Sequence, residues 1–343
     1  MLTESTRPTV SVVIPTFNRP GYLRSAISSV IDQTFKDIEI LVQDNASVED
    51  PTPMVAALGD SRVRIVRNAT NIGQTANILT ACIRATGKYI AVLGDDDLWQ
   101  PNFLATLVPP LENDPEIVVS FCAHDWMDVD GRRDDVRTRL TDGRHRDWLR
   151  EGVYGPFVWI ALVHRSICFM SAAVFRREAI DWKTLPSYLY YCSDVYINYL
   201  AARTGKRCYY HPAKLARLRF LESSVSVEAV ASVSAMEVTS RESFLCWDTF
   251  LRDDAVSDGR RYFEMRRADN ALRIVLCGLQ LRGWAAGLRE FHKFVKNGSI
   301  RPRPLLYHLI YGRYHLRPLI NRLLSRPKSP LRQHFRLDQH IAK

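Results

Sequence analysis

Three adjacent carboxylates, Asp95, Asp96 and Asp97, follow the apolar run 89–93 after a single glycine, Gly94. Like charges set side by side repel unless solvent or a cation neutralises them. An oxygen-rich cluster suits hard cations such as Mg2+ and Mn2+. An acidic, solvated turn capping a helix at 101–111 accounts for the triplet as well. A second candidate is Asp44, in Gln43-Asp44-Asn45-Ala46-Ser47 after the apolar run 38–42. A carboxylate at a strand's end can accept hydrogen bonds from a base or a ribose hydroxyl. It can equally close an Asx turn into the next helix. Other groups carry less. Asp125, Asp128 and Asp130 fit a hairpin around Asp130-Gly131 better than a metal site. His164 and His211 stand alone and read as structural. Tyr188, Tyr190, Tyr191 and Trp182 have faces that suit sugar rings or a core equally well.

The elements that position these groups alternate. Strands are expected at 10–14, 38–42, 63–66, 89–93 and 117–122, from β-branched and apolar runs. Between them, Leu23, Ala26, Ile27 and Val30, and then Ala76, Leu79, Cys82 and Ile83, recur at helical spacing. Further helices are expected after an Asp50-Pro51 cap and over 101–111. Such alternation implies βαβ units and an α/β fold with a mostly parallel sheet flanked by helices. Ligands of open sheets sit beyond the carboxyl ends of the strands. That draws attention to the loops 15–20, 43–50, 67–74 and 94–100. Beyond 125 the pattern loosens. A turn is expected at 129–131, a strand over 167–175 and a helix over 192–204 ended by Gly205. Residues 227–297 read as a helical extension.

Composition narrows the class. Of 343 residues, 46% are hydrophobic and 24% charged, which supports a sizeable core and excludes a disordered chain. The seven cysteines are scattered, without a CxxC pair. That argues against a disulfide framework or zinc ribbon and for a reducing compartment. The longest apolar run, 157–163, is far short of the ~20 residues that span a bilayer. The first ten residues contain no apolar signal region. The expected location is cytoplasmic, with peripheral contact at the inner face of the membrane. The formal charge of +10 is concentrated in 301–343, which holds ten Lys or Arg and one Asp, while 1–300 holds 37 basic and 36 acidic residues. In that tail Leu305, Leu306, Leu309 and Ile310, then Leu316, Leu319, Ile320, Leu323 and Leu324, fall at helical spacings between cations. A basic amphipathic segment suits an anionic membrane surface; helices packed on the body are the rival. A nearly neutral body without a recognition motif argues against nucleic acid.

Residues 10–101 resemble the donor-binding half of a family 2 glycosyltransferase, whose fold is called GT-A. The resemblance rests on VSVVIPTFNRPGYLRSAISSVIDQTFKDIEILVQDNAS and NIGQTANILTACIRATGKYIAVLGDDDLWQP, in that order and spacing. It implies that Pro15, Thr16, Asn18 and Arg19 lie against the nucleotide and that Asp44 reads the base. It places Gly73 and Asn77 where the chain passes the nucleotide, and Asp95 near the ribose and diphosphate. Asp96 corresponds to the ligand of a divalent metal, Mn2+ or Mg2+. Many members read Leu-Asp-x-Asp-Asp, whereas this chain reads Leu93-Gly94-Asp95-Asp96-Asp97, so Asp97 is a second candidate ligand. The family's catalytic base lies near a helix start about 100 residues further on, and Ser193-Asp194 fits that position. Asp194 is thus the expected base of an inverting transfer, and an ordinary first-turn Asp is the alternative. Arg219 resembles part of the base's usual surroundings.

The resemblance implies transfer from a nucleotide-sugar to a glycan or lipid-linked acceptor, as in cell-surface polysaccharide synthesis. The expected organisation is a GT-A domain over 1–225, with a donor half (1–122) and an acceptor half (123–225). A helical extension (226–300) and the basic tail (301–343) follow. A nucleotidyltransferase is disfavoured because the 15–19 loop has no glycine-rich cradle. The intact carboxylates disfavour a non-catalytic binding module.

Overall fold

The structure, a computed structural model, describes residues 7–167, 170–222, 228–229 and 231–299; the basic tail 301–343 lies outside them. The chain divides into two compact units, Met1–Arg267 and Ala268–Lys343.

The first unit is built on one sheet. Four strands, β1 (Val10–Thr16), β2 (Ile38–Asp44), β3 (Val63–Arg67) and β4 (Tyr89–Val92), run parallel in the order β3-β2-β1-β4. Their crossovers are α1 (Pro20–Ile31), α2 (Thr52–Ala56) and α3 (Gln74–Arg84). β4 is buried along its whole length and β1 and β2 nearly so, as expected for strands covered on both faces. Next come β5 (Leu98–Trp99), α4 (Phe103–Asn113), β6 (Ile117–Met127), α5 (Asp135–His145) and β7 (Gly152–Tyr154). β8 (Ala173–Arg176), α6 (Ser193–Ala202), β9 (Arg207–Arg219) and α7 (Val233–Leu251) complete the frame. β8 extends the sheet antiparallel to β4 and to β6, β9 runs parallel to β6, and β5 and β7 pair antiparallel with β9.

Two apolar layers hold the sheet. Leu23, Ile27 and Val30 of α1 and Phe103, Leu107 and Leu111 of α4 fill one. Ile78 and Cys82 of α3, with Trp247 and Phe250 of α7, belong to the other. The fold class is the expected one, an α/β sheet flanked by helices with helices at the C-terminal end. α8 (Arg260–Arg282) crosses from the first unit into the second, where α9 (Trp284–Lys296) follows the turn at Gly283.

Local details differ from expectation. The helix placed after an Asp50-Pro51 cap begins at Thr52 with Pro51 as its cap; Asp50 instead accepts the Thr52 N–H at 2.9 Å. β6 runs five residues beyond the expected end at 122 because β9 pairs with it through Met127↔Arg219. β9 itself was not expected. Pro212 interrupts its alternation, and the register with β6 jumps from Cys122↔His211 to Ala123↔Lys214 around it. The turn at 129–131 is present: Asp128 Oδ1 accepts the N–H groups of Asp130 and Arg132, and Gly131 has φ +83°. Asp125 pairs with Arg133 and Lys214.

One close approach joins the β1, β2 and β4 strands. Ser11 Oγ donates to Glu39 at 2.5 Å, and the Gly87 N–H donates to Ser11 Oγ at 2.8 Å. A Cβ at Gly87 would lie 2.6 Å from the Ser11 backbone nitrogen and 2.9 Å from the Val10 carbonyl carbon. Backbone cannot yield as a flexible side chain can. Gly87→Ala should therefore cost about 2 kcal/mol or more of stability, read as a lower urea midpoint at unchanged slope. A midpoint equal to wild type would show that the strands part easily here.

Candidate active site

The carboxyl ends of β1, β2 and β4 meet at one edge. Pro15 and Thr16 end β1, and Arg19 caps α1, which starts with Pro20. Asn18 takes the left-handed region, φ +55°. This aims its backbone N–H at Ser47 Oγ (2.8 Å) and its side-chain oxygen at the Val48 N–H (2.8 Å), tying the first loop to the second. Thr16 donates to Asp95 at 2.7 Å. Arg19 donates to Asp96 at 2.8 Å and reaches Asp95 at 3.4 Å.

The three adjacent carboxylates have three different surroundings. Asp95 is buried, and burial first, then the Asp96 charge, push it up to about 6 against Thr16 and Arg19. Asp96 is also raised by burial, offset by Arg19 and Arg219. Asp97 turns away onto protein: its Oδ2 accepts from Ser171 Oγ at 2.7 Å and its Oδ1 from the Arg219 N–H at 2.9 Å. Burial and the neighbouring charges hold its carboxyl well above the usual range. Arg219 also donates to the carbonyls of Asp96, Asp128 and Val129 and lies over the Tyr22 ring. It thereby joins the acid loop, the 128–131 turn and α1.

Asp44 is wholly buried. It accepts from the Ser47 N–H at 3.1 Å and from Ser47 Oγ, and pairs with Arg67 Nε at 3.2 Å. This is the Asx turn weighed from the sequence, and it fixes the 44–48 loop. Arg67 also donates to the Ser47 carbonyl. Gly73 caps α3 at φ +88°, where any side chain would be strained. Asn77 faces inward, donating to the Gln43 carbonyl at 2.9 Å and accepting from Asn68 at 2.8 Å. Asn68 in turn donates to Asn45, which donates to Asn71. Sequence reasoning missed this amide relay of Asn45, Asn68 and Asn71. Its signal was the recurrence of Asn through 68–77.

No three carboxylate, imidazole or thiolate groups among the described residues are arranged to hold a metal ion. The donor set still fits a hard divalent cation. Mg2+ in particular takes one or two carboxylates and completes its shell with substrate phosphates and water. Asp95 and Asp96 are both pushed upward, chiefly by burial, a cost that a cation bound beside them would offset.

Asp194 stands in the first turn of α6, whose cap residue Cys192 makes no side-chain capping bond. It lines a cavity of about 310 Å3 with Trp126, His145, Arg165, Tyr191 and Asn198. Burial pushes Asp194 up to about 6, against the lowering effect of Arg165. Arg165 is itself in the left-handed region at φ +53°. The approach to α6 is clasped by α7: Glu242 accepts the Tyr190 and Tyr191 N–H groups, the latter at 2.8 Å. Burial first, then the Glu228 carboxylate, raises the Tyr190 hydroxyl, with Arg19 acting the other way. Arg165, Asn198 and Glu242 were missed from the sequence. Glu242 had a signal, a carboxylate on an apolar helix face. Trp182 is core and Tyr188 is exposed.

Residues 11–180 match the family described as Glycosyl transferase family 2. An uncharacterised glycosyltransferase of Methanocaldococcus jannaschii is 34% identical over 135 residues, 38% of this chain and 47% of that one. A GalNAc(5)-diNAcBac-PP-undecaprenol beta-1,3-glucosyltransferase of Campylobacter jejuni is 36% identical over 104 residues, 29% of this chain and 34% of that one. The chain thus spans about a third to a half of the length of these relatives. Among solved structures, S. aureus TarS 1-349 in complex with UDP-GlcNAc superposes with a TM-score of 0.62 at 16% identity, over 86% of this chain and 82% of that one. Mannosyltransferase PcManGT from Pyrobaculum calidifontis, in complex with GDP-Man and Mn2+, gives 0.56 at 16% identity, over 94% and 89%. At such identities the superpositions speak to the fold, and the matched segment holds β1 to β4 with the acid loop at their ends. Residues 11–180 are therefore a glycosyltransferase family 2 domain, carried on a GT-A fold.

Proposed function

We propose that the protein transfers a sugar, with inversion, from a nucleotide diphosphate donor to a hydroxyl of a glycan or lipid-linked glycan. The observation that carries this reading is the pairing of a charged acid loop, bound to Arg19, with a cavity that holds Asp194. The 15–19 and 44–48 loops receive the nucleotide, with Asp44 and Arg67 as the floor beneath the base. Gly73 and the turn over Asn77 shape the far wall. Arg19 holds Asp95 and Asp96 until the diphosphate arrives and then faces its charge. Asp96, with Asp97 as the rival, would hold a divalent metal, which when bound neutralises the leaving diphosphate.

On the acceptor side Asp194 takes the proton of the attacking hydroxyl. That oxygen bonds to the anomeric carbon as the bond to the diphosphate breaks, and the diphosphate leaves with the electron pair. Attack comes from the face opposite the leaving group, so the configuration inverts. Two named relatives support a lipid-linked acceptor: the Campylobacter enzyme and a diphosphoundecaprenol glucosyltransferase of Escherichia coli. Such an acceptor places the reaction at a membrane surface. The basic tail is the segment the sequence offers for that contact. Among the described residues, no helix is long and apolar enough to cross a membrane.

Titration of UDP-, GDP- and dTDP-sugars by calorimetry, with and without Mn2+ or Mg2+, tests the proposal. One nucleotide class should bind, with affinity that rises with metal. Absence of binding by every sugar nucleotide in either metal would refute it.

A further inference from the structure

The second unit exposes an amphipathic face that the transferase reading does not use. α9 leaves the turn at Gly283, where φ is +79°. Its Gly287 lies against Leu279 of α8: a Cβ there would come 2.2 Å from Leu279 Cγ. That approach fixes the rotation of α9. Ala286, Gly287 and Phe294 face inward and are buried. Away from them Trp284 at 77%, Leu288 at 58% and Val295 at 41% stand in the open, as does Leu281 at 42% near the end of α8. On α9 the steps are four and seven residues, one stripe of a helix. By helical spacing Lys296 lies next round the helix from the stripe, with Arg289 and Lys293 further along the exposed side, and Glu290 is the one acidic residue in 281–296.

We infer that this outer face of α9 is a docking surface for an anionic lipid membrane, on which the helix lies flat. Exposed apolar surface next to cations matches an interface whose headgroups are negative and whose acyl boundary is apolar. Trp284 has an apolar body and an N–H, the form that favours the headgroup level. Lys293 and Lys296 can extend their charges to the headgroups while their stems cover apolar surface. The net positive charge speaks for lipid rather than for a neutral apolar groove of another protein. The inference concerns a described helix and stands apart from the basic tail at 301–343 and from the transferase chemistry.

The test uses the full chain and vesicles of phosphatidylcholine with or without phosphatidylglycerol. Wild type should cosediment only with the anionic vesicles, less at high salt. Trp284→Ser with Leu288→Ser, and separately Lys293→Gln with Lys296→Gln, should each weaken partitioning by roughly tenfold or more. Trp284→Phe should remove most of the vesicle-induced blue shift of tryptophan emission, a readout that needs no folding change. Binding and blue shift that persist in all these variants would overturn the inference. If truncation before Arg301 then abolished binding, the tail would be the anchor instead. Loss of self-association in the variants, with vesicle binding intact, would also overturn it and make the stripe a protein interface.

Discussion

Asp194→Asn is expected to leave donor affinity essentially unchanged while turnover falls about 10²–10⁴-fold, the usual worth of a general base. The amide keeps the side chain's shape in the cavity but cannot accept a proton. The pH dependence carries its own sign. Burial sets the Asp194 carboxyl at about 6, so it is protonated and idle below that pH. Turnover should therefore rise as pH increases through about 6 and then level off. The residual activity of the Asn variant should lack that limb. Arg165 is the charge that pulls the carboxyl down, so Arg165→Met should move the limb to higher pH.

Stability should move the other way. The folded value lies above the ordinary aspartate value of 3.8, so the native state holds this proton more tightly than the unfolded chain. The carboxyl then costs stability as pH rises from about 4, and the full cost is present above about 6. Asp194→Asn removes that cost and should melt higher than wild type at neutral pH, by a margin on the order of 2 kcal/mol. A base is thus distinguished from a structural first-turn Asp, whose loss would lower both activity and melting temperature. Wild-type turnover in the Asn variant would place the base elsewhere.

In the first hundred residues the four parallel strands were legible as short apolar runs and α1 and α3 as clean amphipathic helices, whereas the two-residue β5 at Leu98–Trp99 was not expected. Parallel strands joined by such helices leave few arrangements. The acceptor half was harder for identifiable reasons. β9 is thirteen residues long and runs beside β6, but Pro212 and the bulge beside it break the period of two that marks a strand. The cavity around Asp194 draws on Trp126, Thr141, His145, Arg165 and Asn198. Their sequence separations carry no motif, and only the packing of α5 on β6 brings two of the segments together. The direction of a carboxylate was also hidden. Asp44 and Asp97 look in sequence like Asp96, yet hydrogen bonds from Ser47, Arg67, Ser171 and Arg219 turn them into the protein.

That difference within the acid loop leads to opposite expectations for neighbouring residues. Asp96→Ala should abolish the metal-dependent part of donor binding and leave the melting temperature close to wild type. Its carboxylate meets Arg19 and accepts no side-chain bond from the sheet beneath. Removing it frees Arg19 to face the diphosphate alone, so a weak, metal-independent affinity should persist. Asp97→Ala should instead lower stability by about 1–3 kcal/mol, because Ser171 Oγ and the Arg219 N–H lose their acceptor. Through Arg219 that loss should spread to the 128–131 turn and to Tyr22. Asp97→Asn keeps one oxygen for those donors and should recover part of the stability. Calorimetric titration with donor and Mn2+, paired with a urea melt of each variant, separates the two roles. If Asp97→Ala stays folded and loses the metal-dependent increment while Asp96→Ala keeps it, the ligand is Asp97. The missing first carboxylate of the motif would then have been replaced from its far side.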